Sequence, residues 1–175
     1  MRPTLLLPSL LIACSIACES TKVVELPPNA PLFLEVIGRK HVVGQPVLVK
    51  ITLQNTSQTP IMFNSRMILN SKNAAAYARE LSLVILNSKG VDVPFTSKLN
   101  VLLSEPSDYK TISPKASYAV THEIAQDFSL STPGTYSIKA YYKDGCDTPP
   151  KAPAGTKLLT EELESNIVKL TLHSQ

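Results

Sequence analysis

The side chains that most often carry out chemistry are few and scattered in this sequence. Its three histidines form no HxxxH or similar pair: His41, His122 and His173. Residues 144–147 place two carboxylates beside Cys146. Because Ca²⁺ takes about six or more oxygen ligands, this segment is a poor match for a calcium site. A polar turn explains the segment better, and we expect neither a metal nor a cofactor.

Nucleophilic chemistry also lacks a signature. Serine and threonine are numerous, but no GxSxG or SxxK motif and no glycine-rich phosphate loop is present. An enzyme would need residues such as His122, Asp144 and Asp147 to converge in space, and their spacing does not indicate this. The sequence therefore predicts a protein that is not an enzyme.

Two tyrosines and a cysteine form the one candidate binding surface. Tyr141, Tyr142 and Cys146 lie next to a proline-rich stretch that continues to Pro153. Tyrosine offers a large contact area at low entropic cost, and loops at the ends of sandwich domains are common binding surfaces. The alternative interpretation is that Tyr142 belongs to the core and that the loop is a solvated connector.

Composition limits what these residues can belong to. The chain has 175 residues, of which 43% are hydrophobic and 18% are charged. It is long enough for one packed domain and too short for two ordinary ones. The formal net charge of +3 is too small to indicate a nucleic-acid-binding protein.

The first residues have the pattern of a targeting signal. A positive start at Arg2 precedes an apolar stretch over residues 5–18. As a helix this stretch would rise roughly 21 Å. The hydrocarbon layer of a membrane is roughly 30 Å thick, so a cleaved signal peptide fits better than a membrane span.

The end of this stretch resembles the lipobox of bacterial lipoproteins, in which a small residue precedes a cysteine. Two segments match, residues 11–14 ending at Cys14 and residues 15–18 ending at Cys18. Residues 11–14 match the lipobox more closely, but Cys18 leaves a signal of more usual length, so we expect lipidation at Cys18 with Cys14 as the alternative. An ordinary secretory signal is the other interpretation.

This resemblance implies an anchor and a location. The mature N-terminal cysteine would carry a diacylglycerol and an N-acyl chain, which hold a protein at a membrane. Neither candidate cysteine is followed by Asp, so the resemblance implies the outer membrane, facing the periplasm or the exterior. Residues 1–17 are then the signal peptide, 18–30 a flexible tether and 31–175 the folded domain. If Cys14 were lipidated instead, Cys18 could pair with Cys146.

The rest of the sequence predicts short β-strands. Alternation of apolar and polar residues is clearest from Val47 to Leu53. Strands are expected at 32–37, 47–53, 61–69, 81–85, 91–93, 118–124, 136–142 and 168–172, with a further short strand at 101–103 inside a long loop. Little helix is expected. Antiparallel strands with one apolar face pack best as two sheets, so we predict an all-β sandwich of about seven or eight strands, with a small closed barrel as the alternative.

Parts of this pattern resemble bacterial immunoglobulin-like domains. Residues 44–55 are similar to their early strands, 130–142 to their penultimate strand and 165–168 to the entry of their last strand. The resemblance implies an immunoglobulin-like antiparallel β-sandwich. The inter-sheet cysteine pair and the core tryptophan of antibody domains are missing.

These observations predict a lipid-anchored, non-enzymatic module of the cell envelope that binds or scaffolds an unknown envelope protein or surface ligand. The alternative is a secreted, sandwich-type protease inhibitor acting through an exposed loop, with residues 96–114 or 143–157 as the candidate loops. Carriage of a metal or a small ligand is a third class.

Overall fold

The computed structural model describes residues 30–75, 77, 79–99 and 101–175. The predicted signal peptide, both candidate lipidation residues, Cys14 and Cys18, and the tether up to residue 29 lie outside the described residues. Within the described part, no helix is long and apolar enough to cross a membrane. Ala30, which we assigned to the tether, is buried and belongs to the hydrophobic core.

Short strands dominate the described residues. The strands are β1 (Leu32–Ile37), β2 (His41–Val42), β3 (Leu48–Gln54), β4 (Ile61–Asn64), β5 (Leu81–Leu86), β6 (Tyr109–Ile112), β7 (Ser117–Glu123), β8 (Gly134–Tyr142), β9 (Lys157–Leu158), β10 (Leu163–Glu164) and β11 (Val168–His173). A 3₁₀ turn, Pro106–Asp108, precedes β6. Eight of these strands have four or more residues, in agreement with the predicted seven or eight.

The first sheet has the order β1-β3-β7, and all of its pairings are antiparallel. Its central strand follows the predicted alternation, because Val49, Ile51 and Leu53 are fully buried while the residues between them are exposed or half-buried. The period of two along a strand places these three side chains on one face. That face is one side of the core.

The second sheet is centred on β8. Strand β5 pairs antiparallel with residues 137–142 along one edge of β8. Strands β10 and β11 pair with residues 141–142 and 134–138, so they follow one another along the opposite edge. Strand β2 adds to β11 as a two-residue parallel pair. The inward face of β8 is Tyr136, Ile138, Ala140 and Tyr142.

A small third sheet, β6-β4-β9, extends the sandwich at one end. The chain leaves the first sheet at the end of β3 and bends at Asn55, whose side chain is buried, before it enters β4. The Asn55 amide donates to the carbonyl oxygens of Thr59 (2.9 Å) and Ile112 (3.0 Å). These bonds satisfy carbonyl groups that the bend takes out of the sheet. After this bend, β4 ends at Asn64, at the end of the sandwich.

One aromatic side chain joins the sheets in the core. The Phe63 ring on β4 packs edge-on against Tyr118 of the first sheet (5.0 Å between centroids) and Tyr142 of the second (6.4 Å). Both separations lie in the range favoured by aromatic pairs. A single hydrophobic cluster contains the inward residues of both sheets. The prediction of an all-β sandwich is therefore confirmed.

The differences from the expected strands are local. Residues 101–103 form no strand, residues 91–93 contribute only a bridge between Asp92 and Leu86, and β4 ends at Asn64 instead of residue 69. Strands β2, β6, β9 and β10 were not predicted. Strands β2, β9 and β10 have only two residues each, which is too short to show alternation, and β6 lies within the stretch that we assigned to a long loop.

Candidate functional site: a braced apolar loop

The structure separates the three residues of the predicted binding surface. Tyr141 and Tyr142 are neighbours on β8 and point to opposite faces of the sheet. Tyr142 is fully buried in the core, so it offers no contact to a partner. Tyr141 is half-buried on the outer face, and Cys146 is a half-buried free thiol in the loop after β8.

Cys146 belongs to a polar cluster around Asp144. The Tyr109 hydroxyl donates to Asp144 Oδ2 (2.7 Å), and the Cys146 backbone N–H donates to Asp144 Oδ1 (3.2 Å). Burial, followed by the hydrogen bonds to Asp144 and Cys146, raises the pKa of Tyr109 far above its ordinary value. The phenol therefore stays neutral and keeps donating to the carboxylate, which fixes the loop after β8.

Asn64, at the end of β4, connects this cluster to two further parts of the chain. Its side-chain amide donates to Ser104 Oγ at 2.8 Å, and lies 3.3 Å from Glu80 Oε1 and 3.4 Å from Asp144 Oδ1. Its backbone N–H donates to the Tyr142 hydroxyl (3.1 Å), which donates in turn to the Asn64 carbonyl (3.2 Å). Both the side chain and the backbone of Asn64 are therefore held by hydrogen bonds.

A buried ion pair lies next to Asn64. Arg66 Nη2 is 2.5 Å from Glu80 Oε1, and the two side chains are only 13% and 2% exposed. The second Glu80 oxygen accepts from the Ile68 backbone N–H (3.0 Å). A buried carboxylate needs such partners, because burying a charge without a partner costs several kcal/mol.

This network braces the residues just before the 3₁₀ turn. Arg66 Nη1 donates to the Leu102 carbonyl (2.7 Å), and the Ser104 hydroxyl accepts from Asn64. The loop then enters the 3₁₀ turn, where Asp108 Oδ2 accepts from the Glu105 backbone N–H (2.8 Å). We call residues 101–105 the braced loop. Arg66 holds its backbone at the Leu102 carbonyl, Asn64 of β4 holds the Ser104 side chain, and Asp108 holds the Glu105 N–H.

The braced loop exposes large apolar side chains. Leu102 is 85% exposed and Leu103 is 69% exposed. A single exposed leucine is ordinary, but two adjacent ones on a held loop offer apolar area for contact with a partner. The brace holds the Leu102 carbonyl and the Ser104 hydroxyl, on either side of Leu103, while the Leu103 side chain is exposed to solvent.

The histidines do not form a second site. Strands β2 and β11 bring His41 and His173 to neighbouring strands, whereas His122 lies on β7 in the first sheet. Burial lowers the pKa of His122 below its ordinary value. Among the described residues, no three His, Cys, Asp or Glu side chains could hold a metal ion together.

Sequence reasoning did not find the braced loop. The candidate loop 96–114 contains it, but the pairing of Arg66 with Glu80 joins residues on either side of an irregular segment. No local pattern shows such a pair. The one available signal was Leu102-Leu103 in a stretch without strand periodicity, which we interpreted as a short strand.

No model of a protein family matches the chain. A search of the curated proteins likewise found no match.

Proposed function

We propose that this protein is a non-enzymatic binding module of the cell envelope, held at the outer membrane by lipidation of Cys18 and docking on an envelope protein through the braced loop. The observation that carries the docking part is the exposure of Leu102 and Leu103 on a loop fixed by Arg66 and Asn64. The anchor rests on the lipobox resemblance.

Rigidity supports a binding role for this loop. Ordering a flexible side chain or loop on binding costs about 0.5–1.5 kcal/mol per immobilised side chain, so a loop that is fixed in advance binds more tightly. The bond from Arg66 holds the backbone at the Leu102 carbonyl, and the bond from Asn64 holds the Ser104 side chain, before any partner arrives. A partner with an apolar pocket would then gain the burial of two leucine side chains.

Replacing both leucines is expected to abolish this docking while leaving the fold intact. Burying a leucine contributes about 1.5–3 kcal/mol, so Leu102→Ser with Leu103→Ser should weaken the complex by at least about a hundredfold. The side chains are exposed, and thermal unfolding should therefore stay close to that of the parent. A photo-crosslinking residue at position 103, introduced in the native cells, reports the contact.

The matched control places the same crosslinking residue at Lys169, which is exposed on the outer face of β11. Position 103 should give one discrete protein adduct that disappears when Leu102→Ser is added, and position 169 should not give it. Equal adducts from both positions, or an adduct unaffected by Leu102→Ser, would contradict the proposal. An adduct to lipid alone would do so as well.

A second candidate, the protease inhibitor, is favoured by the positions of the two brace contacts. They hold the Leu102 carbonyl and the Ser104 hydroxyl, on either side of exposed Leu103. A substrate-like inhibitor needs an exposed residue on a loop that does not relax. Inhibition of a serine or cysteine protease at micromolar protein, lost in the double serine variant, would favour this function, and its absence across a protease panel would exclude it.

A further inference from the structure

A groove on the outer face of the second sheet is separate from the braced loop. It has a volume of about 270 Å³ and is lined by Ser82 and Val84 of β5 and Tyr141 of β8. Arg79 just before β5, Lys143 just after β8 and Glu162 just before β10 complete its wall. These elements meet at one end of the sheet because β8 runs antiparallel to both β5 and β10.

The charge of the groove is mostly positive. Arg79, Lys143 and Lys72 line it, against one carboxylate, Glu162. Lys72 is engaged by Asp92 at 2.7 Å. Among the residues that the structure describes, Arg79 and Lys143 form no ion pair with an acidic side chain. Two cations are therefore available to an anion, and a guanidinium can bind a carboxylate or a phosphate in a bidentate way.

The floor of the groove contains an aromatic ring held in place. Lys139 Nζ lies 5.2 Å from the centroid of the Tyr141 ring and also pairs with Glu164. Lys139 does not line the groove, so the ring is fixed from outside it. Together with Val84, the ring offers an apolar surface beside the charges. Such a surface suits the C–H face of a sugar ring.

We infer that this groove binds a small sugar that carries a carboxylate or a phosphate. The cations would bind the acidic group, the Tyr141 ring would contact the sugar ring, and Glu162 and Ser82 would accept hydrogen bonds from sugar hydroxyls. A bare inorganic anion would use neither the ring nor Glu162. The volume is just below the about 300–1,000 Å³ of pockets for larger ligands, which limits the occupant to about one sugar unit.

Calorimetric titration of the full chain tests this inference, in a zwitterionic detergent that carries no sugar headgroup. The probes are glucuronate, glucose 6-phosphate, glucose and inorganic phosphate. Glucuronate or glucose 6-phosphate should bind at least about tenfold more tightly than glucose, because only their acidic groups form charge-assisted hydrogen bonds with the two cations. Inorganic phosphate should bind more weakly than glucose 6-phosphate. Because no lipid anchor is needed, failure here would leave the proposed docking function untouched.

Substitutions of the lining residues test whether the ligand binds in the groove. Arg79→Gln and Lys143→Gln should each weaken binding of the acidic sugar about tenfold or more, since each removes a charge-assisted contact. Their matched control is Lys169→Gln, which removes a lysine from the outer face of the same sheet but outside the groove. Tyr141→Ala should weaken the acidic sugar and glucose alike.

Three results would overturn the inference. The first is no heat from either acidic sugar at millimolar concentration. The second is equal binding of glucose 6-phosphate and inorganic phosphate, which would indicate an anion site without sugar recognition. The third is a loss in Lys169→Gln as large as that in Arg79→Gln, which would indicate attraction by the whole face of the sheet.

Discussion

Replacing Glu80 by alanine should destabilise the domain by about 3 kcal/mol, because it leaves the largely buried Arg66 without its close carboxylate partner. Glu80 also accepts the Ile68 backbone N–H, which would lose its partner. Asp108 Oδ2, 3.9 Å from Arg66 Nε, is too distant to replace these contacts. Unfolding in urea, followed by circular dichroism, measures the change.

The matched control is Glu161→Ala, which breaks an ion pair of similar length. Lys157 Nζ lies 2.7 Å from Glu161 Oε1, but both side chains are about half exposed. Exposed pairs contribute about 0–1 kcal/mol, so this variant should unfold close to the parent. Similar destabilisation by the two variants would contradict the buried role of Glu80.

The Glu80 variant has a second consequence for the braced loop. Without Glu80, Arg66 is no longer held in place to bind the Leu102 carbonyl. The loop should then be cleaved more readily by a protease under native conditions, whereas in Glu161→Ala it should resist as in the parent. This readout connects the stability of the ion pair to the proposed binding surface.

The second large effect is expected at Tyr142. Tyr142→Ala should cost about 3–5 kcal/mol, since it removes a fully buried aromatic side chain from the core. Tyr142→Phe should cost about 1–3 kcal/mol, because the backbone N–H and carbonyl of Asn64 then lose the hydroxyl that serves both. The free energy of unfolding in urea separates the packing contribution from that of the hydroxyl.

Tyr141 provides a control one residue away on the same strand. Its side chain lies on the outer face, so Tyr141→Ala should change the free energy of unfolding by less than about 1 kcal/mol. A cost for Tyr141→Ala equal to that for Tyr142→Ala would contradict the assignment of the two faces of β8.

The same pair of tyrosines illustrates how far the sequence could predict the site. The alternation of Tyr136, Ile138, Ala140 and Tyr142 already indicated one inward face for β8, and the structure confirms it. That alternation also implied that Tyr141 and Tyr142 could not share a surface. Grouping them as one binding surface relied on closeness in sequence, which is misleading within a strand.

Other parts of the structure depend on contacts between distant residues. Beyond the end of β4 at Asn64, where no strand forms at 101–103, Arg66 and Asn64 make bonds to the braced loop. Those bonds join residues 36 and 40 positions apart, so no local periodicity could show them. The sandwich itself was predictable because alternation is a local property of each strand.

The central proposal is that the domain is a binding module anchored at the membrane through Cys18. The most direct measurement is the intact mass and membrane partitioning of the full chain expressed in a Gram-negative host, beside Cys18→Ala and Cys14→Ala. We expect the parent and Cys14→Ala to carry acyl chains and to sediment with membranes, and Cys18→Ala to do neither. Acyl chains that disappear only in Cys14→Ala, or three soluble proteins without acyl chains, would contradict this account.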